Sequence, residues 1–180
     1  MSVAALFVRK DTVYRELGAE CFDIERDART FDLAGPVVAH PPCRAWGKLK
    51  GLARPRPDER DLAWWAVHVV RLCGGVLEHP IHSSLWRELG CGTPGLRDGF
   101  GGVLLHVDQS WYGHPCSKPT GLYVVGPVPE LRASGPAPTH AIGGKGLAVD
   151  GLRAAHSAMR EHTPRAFAEL LLSIAGGVAL

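Results

Sequence analysis

The chain has 180 residues, of which 46% are hydrophobic and 21% charged, a composition typical of one soluble globular domain. Disordered and collagen-like chains are excluded, because a chain of this size buries roughly 70% of its unfolded surface in one core. The 20 basic and 18 acidic residues leave a formal net charge of +2, so only a local basic patch can bind an anion or a nucleic acid. We therefore expect a single domain over residues 1–180.

The first 17 residues contain a short apolar run followed by mixed charge, with neither a basic leader nor a small-residue cleavage site. No stretch approaches the roughly 18 apolar residues of a membrane span. We therefore expect a cytoplasmic protein without a membrane partner. In that compartment the five scattered cysteines are free thiols, and at least one of them is a candidate nucleophile.

Strands and helices alternate in the first 73 residues. Apolar runs that end in polar residues predict buried strands at 2–8, 20–25 and 37–40, with a helix at 12–17 that Asp11 caps. After Asp58 the apolar residues recur at helical spacing, which predicts a helix that ends at Gly74.

The alternation continues to the end of the chain. The later predicted elements are a strand at 76–78, a helix at 83–89, strands at 102–107 and 122–125, and a last helix that Thr163 and Pro164 open. This pattern predicts an α/β fold with a Rossmann-like, doubly wound and mostly parallel sheet.

Two segments are rich in proline or glycine and predict irregular structure. Residues 126–151 form a Gly/Pro-rich excursion on the surface rather than a second domain. Residues 41–60 form a basic loop, and its basic residues are Arg44, Lys48, Lys50, Arg54, Arg56 and Arg60.

Reactive side chains follow the predicted strands, at the edge of the sheet where open α/β sheets bind ligands. The strand at 37–40 leads into Pro41, Pro42 and Cys43, and two prolines force a rigid, extended turn that presents the thiol. The basic residues of the loop favour the reactive thiolate. We interpret Cys43 as a candidate nucleophile, and the alternative is a buried structural cysteine.

The order of these motifs resembles that of the cytosine-C5 DNA methyltransferases. Residues 37–43 look like the family's Pro-Pro-Cys motif, whose Cys attacks C6 of cytosine, and residues 75–80 look like its Glu-Asn-Val or Glu-Asn-Pro motif, whose Glu holds and protonates N3. Residues 111–126 are similar to the segment in which the family has Tyr-Gly, an Arg-rich stretch and an apolar strand. Thr163 and its helix resemble the closing motif, so the resemblance spans most of the chain.

The resemblance implies a DNA cytosine-C5 methyltransferase with S-adenosylmethionine as its cofactor. The catalytic residues would be Cys43, Glu78 and, in place of the family's arginines, Lys118. The cofactor would lie against Phe7, Asp23, Glu25 and Pro41, with an acidic residue on its ribose. The substrate-binding residues would be Arg44, Trp46, Lys48, Lys50, His79 and Thr120, which would hold DNA or a cytosine nucleotide.

The chain departs from the family in two places that bear on these expectations. The family's glycine-rich cofactor loop is replaced by residues 7–12, which contain no glycine, so cofactor binding is either remodelled or lost. Arg9 and Lys10 in that loop either take an anionic group or form a solvated turn. Only residues 127–151 are available for target recognition, so a partner protein supplies it or the specificity is low.

Three alternatives remain open at this point. One is a catalytically altered protein that binds a nucleic acid or a nucleotide, in which Trp46 either stacks on a base or packs in the core. Another is a pyrimidine-modifying enzyme with a different donor. A third is a metal site, although no tight ligand spacing is present and we expect no metal; its candidate ligands are His40, Cys43, Glu78, His79, His82, His106, Asp108, His114 and Cys116.

Overall fold

Short runs of small and β-branched apolar residues form the centre of a six-stranded sheet. The computed structural model describes residues 2–47, 50–51, 53–91, 95–142 and 152–177. The strands of this sheet are β1 (Ala4–Leu6), β2 (Glu20–Phe22), β3 (Val37–Ala39), β4 (Gly75–Pro80), β5 (Gly102–Asp108) and β6 (Pro119–Val125). Every residue of β1 and β3 is buried, as a strand covered on both faces requires.

The strand order is β2-β1-β3-β4-β6-β5. Strands β2, β1, β3 and β4 are parallel, whereas β6 is antiparallel to both β4 and β5. The chain leaves β1 toward β2 on one side and returns to β3 on the other, so the order reverses between β1 and β3. A crevice at the carboxyl ends of these strands is the expected ligand site of such a sheet. The predicted α/β, Rossmann-like and mostly parallel single-domain fold is confirmed.

Helices cover both faces of the sheet. They are α1 (Val13–Glu16), α2 (Glu59–Cys73), α3 (Ser84–Glu88), α4 (Ser157–Glu161) and α5 (Arg165–Gly176). The predicted helix after Asp58 is α2, but the Asp58 side chain makes no capping hydrogen bond. The cap of α1 is Thr12 rather than Asp11, and Pro164 lies at the N-cap of α5 rather than at its first helical position.

Alternate residues of each strand face two different cores. On one face Leu77 and Tyr123 pack with α2, and on the other face Val76 and Leu122 pack with α5. Glu78 follows Leu77 in β4 and therefore projects to the α5 side, whereas His79 projects to the α2 side. Each core is filled by aromatic and branched side chains, so the sheet is covered on both faces.

Glycine is required where β3 and β4 come together. Gly75 begins β4 with a φ of +114°, and a Cβ atom at this position would lie 2.1 Å from the carbonyl oxygen of Val37. No larger residue fits such a backbone approach. The Gly74–Gly75 pair thus ends α2, as expected, and also allows β4 to pair with β3.

The segment at 126–151 is largely irregular as far as the structure describes it. It contains β7 (His140–Ala141), which pairs in parallel with β8 (Arg153–Ala154) in a small second sheet. Residues 143–151 lie outside the described part of the chain. None of the described helices is both long and apolar enough to cross a membrane.

Candidate active site

A cavity of about 560 Å³ opens at the carboxyl ends of β1, β3 and β4, beside the point where the strand order reverses. Residues of the β1 turn, the Pro-Pro-Cys segment, β4 and the beginning of β6 line one side, and residues 156–163, around α4, line the other. The side chains in it that carry candidate chemistry are His40, Cys43, Glu78, Lys118, Arg160 and His162. A volume of this size suits a small ligand or an extruded base.

Cys43 lies at the mouth of this cavity and is exposed. Its carbonyl oxygen accepts hydrogen bonds from the backbone N–H groups of Trp46 and Gly47, both at 3.0 Å, which fix the turn behind it. Although the residue as a whole is exposed, partial loss of water around the thiol and the nearby Glu78 carboxylate raise its pKa, while Lys118 acts in the opposite direction. The expectation that basic neighbours favour the thiolate is therefore wrong for the free protein, and Cys43 is a thiol at neutral pH.

Glu78 is held on the cavity wall by hydrogen bonds to two side chains. Its Oε2 lies 3.0 Å from Nδ1 of His40, and its Oε1 accepts a hydrogen bond from Nε2 of Gln109 at 3.1 Å. Burial favours the protonated carboxyl, but the His40 hydrogen bond and the charge of Lys118 outweigh it and lower the pKa of Glu78 to about 2. Glu78 is therefore ionised at neutral pH although its side chain is only 12% exposed.

The sequence interpretation assigned no catalytic role at this site to Tyr14, His40 or Gln109, although it named His40 as a candidate metal ligand. Tyr14 is fully buried, and its hydroxyl lies 2.9 Å from Nε2 of His40. A signal for His40 was present: Val38 pairs with Val76 and Ala39 with Leu77, so the next pair in the same register is His40 opposite Glu78. No comparable pattern pointed to Tyr14, which comes from α1.

Lys118 precedes β6 and lines the same cavity. Within the described part of the chain its ammonium group makes no ion pair and no hydrogen bond. Its positive charge acts on both Glu78 and Cys43, and it favours the ionised form of each. The structure thus brings the three predicted catalytic residues Cys43, Glu78 and Lys118 to one cavity.

A second cavity of about 250 Å³ lies at the ends of β1 and β2 and shares Phe7, Val8 and Pro42 with the first. Phe7 has a φ of 60°, a left-handed conformation that costs about 1–3 kcal/mol for a residue with a side chain. Asp23 lines this second cavity. Pro41 is buried and lines the first cavity only.

The residues around the second cavity do not fit S-adenosylmethionine well. Oδ1 of Asp23 accepts from the backbone N–H groups of Glu25 and Arg26, and Oδ2 pairs with Arg15, so only one acceptor position, on Oδ2, remains for a ribose hydroxyl. Glu25 is exposed and paired with Lys10.

The turn after β1, which would approach the methionine part of S-adenosylmethionine, also differs from the glycine-rich loop that such an approach requires. It contains no glycine, and Arg9 in it pairs with Asp11 at 2.8 Å and with Glu161 of α4 at 2.9 Å. Arg9 and Lys10 are both exposed, which agrees with the solvated turn, and each is ion-paired within the protein, so neither cation is unpaired for an anionic group.

The basic loop is largely neutralised by acidic partners. Arg44 and Arg56 both pair with Glu59, whose side chain is fully buried at the beginning of α2, and Arg60 pairs with Glu88 at 2.7 Å. Lys50 and Arg54 are exposed and have no partner among the described residues, and Lys48 lies outside them. The loop therefore offers fewer free cations than its composition suggests.

Three predicted substrate-binding residues are buried. Trp46 is 1% exposed, with the guanidinium of Arg60 stacked 4.3 Å from its ring, so it packs in the core and cannot stack on a base here. Thr120 is buried, and its hydroxyl donates to the Lys118 carbonyl and accepts from Gln109. In this structure the buried side chains of Trp46 and Thr120 cannot contact a substrate directly, contrary to the prediction.

His79 is the third buried residue, although it lies next to the cavity. Burial lowers its pKa to about 4, although Glu78 and the Pro42 backbone raise it, so the ring is neutral at neutral pH. Its ring packs edge-on against Trp86, and neither ring nitrogen makes a well-formed hydrogen bond. We have no physical account of these two unsatisfied nitrogens.

The candidate metal ligands are not arranged as a metal site in the part of the chain that the structure describes. Among the described residues no group of three or more His, Cys, Asp or Glu side chains could hold a metal ion. His114, for example, is buried and bonds to the backbone of Cys116 and, at 3.1 Å, to the carbonyl of Met159. His114 therefore connects α4 to the rest of the protein by a hydrogen bond.

No family model matches the chain, and no curated protein matches it.

Proposed function

We propose that the protein activates C5 of a cytosine-type pyrimidine, in DNA or as a nucleotide, by covalent addition of Cys43 to C6 of the ring. The observation that carries this proposal is the convergence of Cys43, Glu78 and Lys118 on one cavity at the carboxyl edge of the sheet. The same three residues are the ones that the resemblance to cytosine-C5 methyltransferases assigns to catalysis.

Each residue has a distinct task in this chemistry. Addition of the Cys43 thiolate to C6 moves the C5–C6 π electrons to C5, which then attacks an electrophile. Glu78 faces the N3 edge and, when it carries a proton, neutralises the charge that the addition places on the ring. Lys118 is the cation that favours the thiolate of Cys43 during the attack.

The donor that supplies the C5 substituent is best sought outside S-adenosylmethionine. The engaged oxygens of Asp23 and the glycine-free turn after β1 support this part of the proposal. We further propose a reducing, cytoplasmic setting, since all five cysteines are free and the chemistry requires a reduced thiol.

A second candidate function is binding of a pyrimidine nucleotide without turnover. The raised pKa of Cys43 favours it, because little thiolate is present in the free protein. The neutralised basic loop argues against a large phosphate-binding surface, so recognition of a DNA target would need a partner protein.

The test measures exchange of the C5 hydrogen in heavy water, which needs no donor. Thiolate addition at C6 lets C5 take a deuteron from solvent; loss of the original proton and release of the thiolate then leave 5-deuterocytosine. We expect mass spectrometry to detect this product when deoxycytidine monophosphate or a cytosine-containing oligonucleotide is incubated with the protein. Cys43→Ser should abolish exchange, because an alcohol is a far weaker nucleophile.

The matched control is Cys91→Ser, a partly buried cysteine that lines neither cavity. It should exchange like the wild type. If the wild type shows no exchange but a pyrimidine nucleotide raises its melting temperature, the binding function is correct and the proposed chemistry is not.

A further inference from the structure

A hydrogen-bonded row of three side chains ends at the Glu78 carboxylate. It runs from the hydroxyl of Tyr14 to Nε2 of His40 over 2.9 Å, and from Nδ1 of His40 to Oε2 of Glu78 over 3.0 Å. All three side chains lie on the α5 side of the sheet, and Tyr14 closes the row within the core. Tyr14, His40 and Glu78 all line the same cavity, so the whole row lies along its wall.

We propose that His40 is a positioning residue that supplies, through Glu78, the proton that N3 of cytosine lacks, and that it thereby makes the site prefer cytosine over uracil. The inference rests on the proposed function and names the ring that the site takes. Uracil already carries a hydrogen on N3, whereas N3 of cytosine is a bare acceptor. A carboxylate facing N3 can accept from uracil but must carry a proton to bind cytosine.

Glu78 does not hold that proton by itself. Its pKa of about 2 leaves it ionised at neutral pH, so a neighbour must deliver the proton when cytosine arrives. An ionised carboxylate only accepts hydrogen bonds, so Nδ1 of His40, 3.0 Å away, must carry a hydrogen. Gln109 also donates to Glu78, but an amide does not release protons.

Tyr14 suits a histidine that changes its charge. A hydroxyl both donates and accepts, so it can donate to Nε2 of the neutral ring or accept from Nε2–H of the imidazolium. Nε2 of His40 therefore keeps a partner in both states. In the forward step the imidazolium gives its Nδ1 proton to Glu78, the carboxyl group gives that proton to N3, and the ring is left neutral with its remaining hydrogen on Nε2, which donates to Tyr14. On release of the base the proton returns by the same route.

The experiment compares C5 exchange on deoxycytidine monophosphate and deoxyuridine monophosphate, measured as kcat/KM on each substrate. His40→Gln keeps a hydrogen-bond donor beside Glu78 but removes the titrating ring. We expect the ratio of cytosine to uracil exchange to fall about 100-fold, within the range of general acid catalysis, with uracil exchange little changed. Tyr14→Phe keeps the imidazole of His40 but removes the hydroxyl that bonds to its Nε2. The ratio of cytosine to uracil exchange should therefore fall by less than in His40→Gln.

The matched control is His106→Gln, an exposed histidine of β5 that lines neither cavity, and its ratio should equal that of the wild type. A parallel loss of exchange on both bases in His40→Gln and in Tyr14→Phe would show a purely structural role and overturn the inference. An unchanged ratio in both variants would also overturn it. If the wild-type protein exchanges neither cytosine nor uracil, the proposed function on which this inference rests is itself overturned.

Discussion

Single side chains at the site owe their properties to partners that are distant in the chain. The pattern of strand ends predicted Cys43 and Glu78, because each directly follows or ends an apolar run. It did not predict that Glu78 would be ionised, since His40 and Gln109 stand 38 and 31 residues away in sequence. The local sequence therefore gives the position of such a residue, whereas its charge depends on long-range packing.

The ionised state of Glu78 predicts a pH-dependent contribution to stability. Its pKa is lowered from 4.5 to about 2, so the charged form stabilises the fold above pH 4.5, and this stabilisation is lost as the pH falls toward 2. A shift of that size corresponds to roughly 3 kcal/mol. Glu78→Gln should therefore destabilise the protein by a few kcal/mol at pH 7, measured by urea unfolding, and by much less at pH 3.

The control for this experiment is Glu130→Gln, which changes an exposed carboxylate outside both cavities. It should give the same small difference at both pH values. A constant penalty for Glu78→Gln between pH 7 and pH 3 would mean that the penalty comes from altered packing rather than from the charge.

At the scale of elements, the boundary between the basic loop and α2 shows why counting charges misled the sequence interpretation. The loop has six basic residues, but Glu59 at the beginning of α2 is buried and pairs with Arg44 and Arg56. Composition identifies the charges but does not show which acids lie beneath them. The loop is thus attached to α2 by ion pairs, and this restricts its use as a surface for phosphates.

Glu59→Gln should loosen this attachment. The two arginines are half exposed and can be rehydrated, so the loss comes from the buried side chain at position 59, whose neutral amide gives up the charge-assisted bonds to both arginines; we expect about 1–3 kcal/mol in the free energy of unfolding. Glu88→Gln, which breaks the more exposed pair with Arg60, should cost under about 1 kcal/mol. Equal losses in the two variants, measured by urea unfolding, would contradict a special role for Glu59.

At the scale of the whole molecule, one sheet joins two cores. The sequence predicted the alternation of strands and helices and hence the fold class. It did not show that β6 runs antiparallel, because periodicity carries no direction. Nor did it predict α4, which follows the Gly/Pro-rich excursion and has few apolar residues to mark it.

The shared sheet predicts one cooperative unfolding transition. Leu171→Ala in α5 removes a fully buried side chain and should cost about 2–5 kcal/mol. Four of the five tryptophans pack on the opposite, α2 side, so tryptophan fluorescence should change at the same urea concentration as the far-UV circular dichroism does. Leu72→Ala, at a side chain that is largely exposed, should change stability by less than about 0.5 kcal/mol. Separate transitions for the two probes would show that the cores unfold independently.

Because β6 runs antiparallel to β4, residues that precede β6, and not only residues that follow a strand, can contribute side chains to the site. In a purely parallel sheet each strand brings only the residues after it to the carboxyl edge. Because β5 and β6 form a hairpin, the edge receives Gln109 from the end of one strand and Lys118 from the approach to the next. A single short connection thus supplies two site positions, so an insertion or deletion within it would shift both residues without disturbing the register of the sheet.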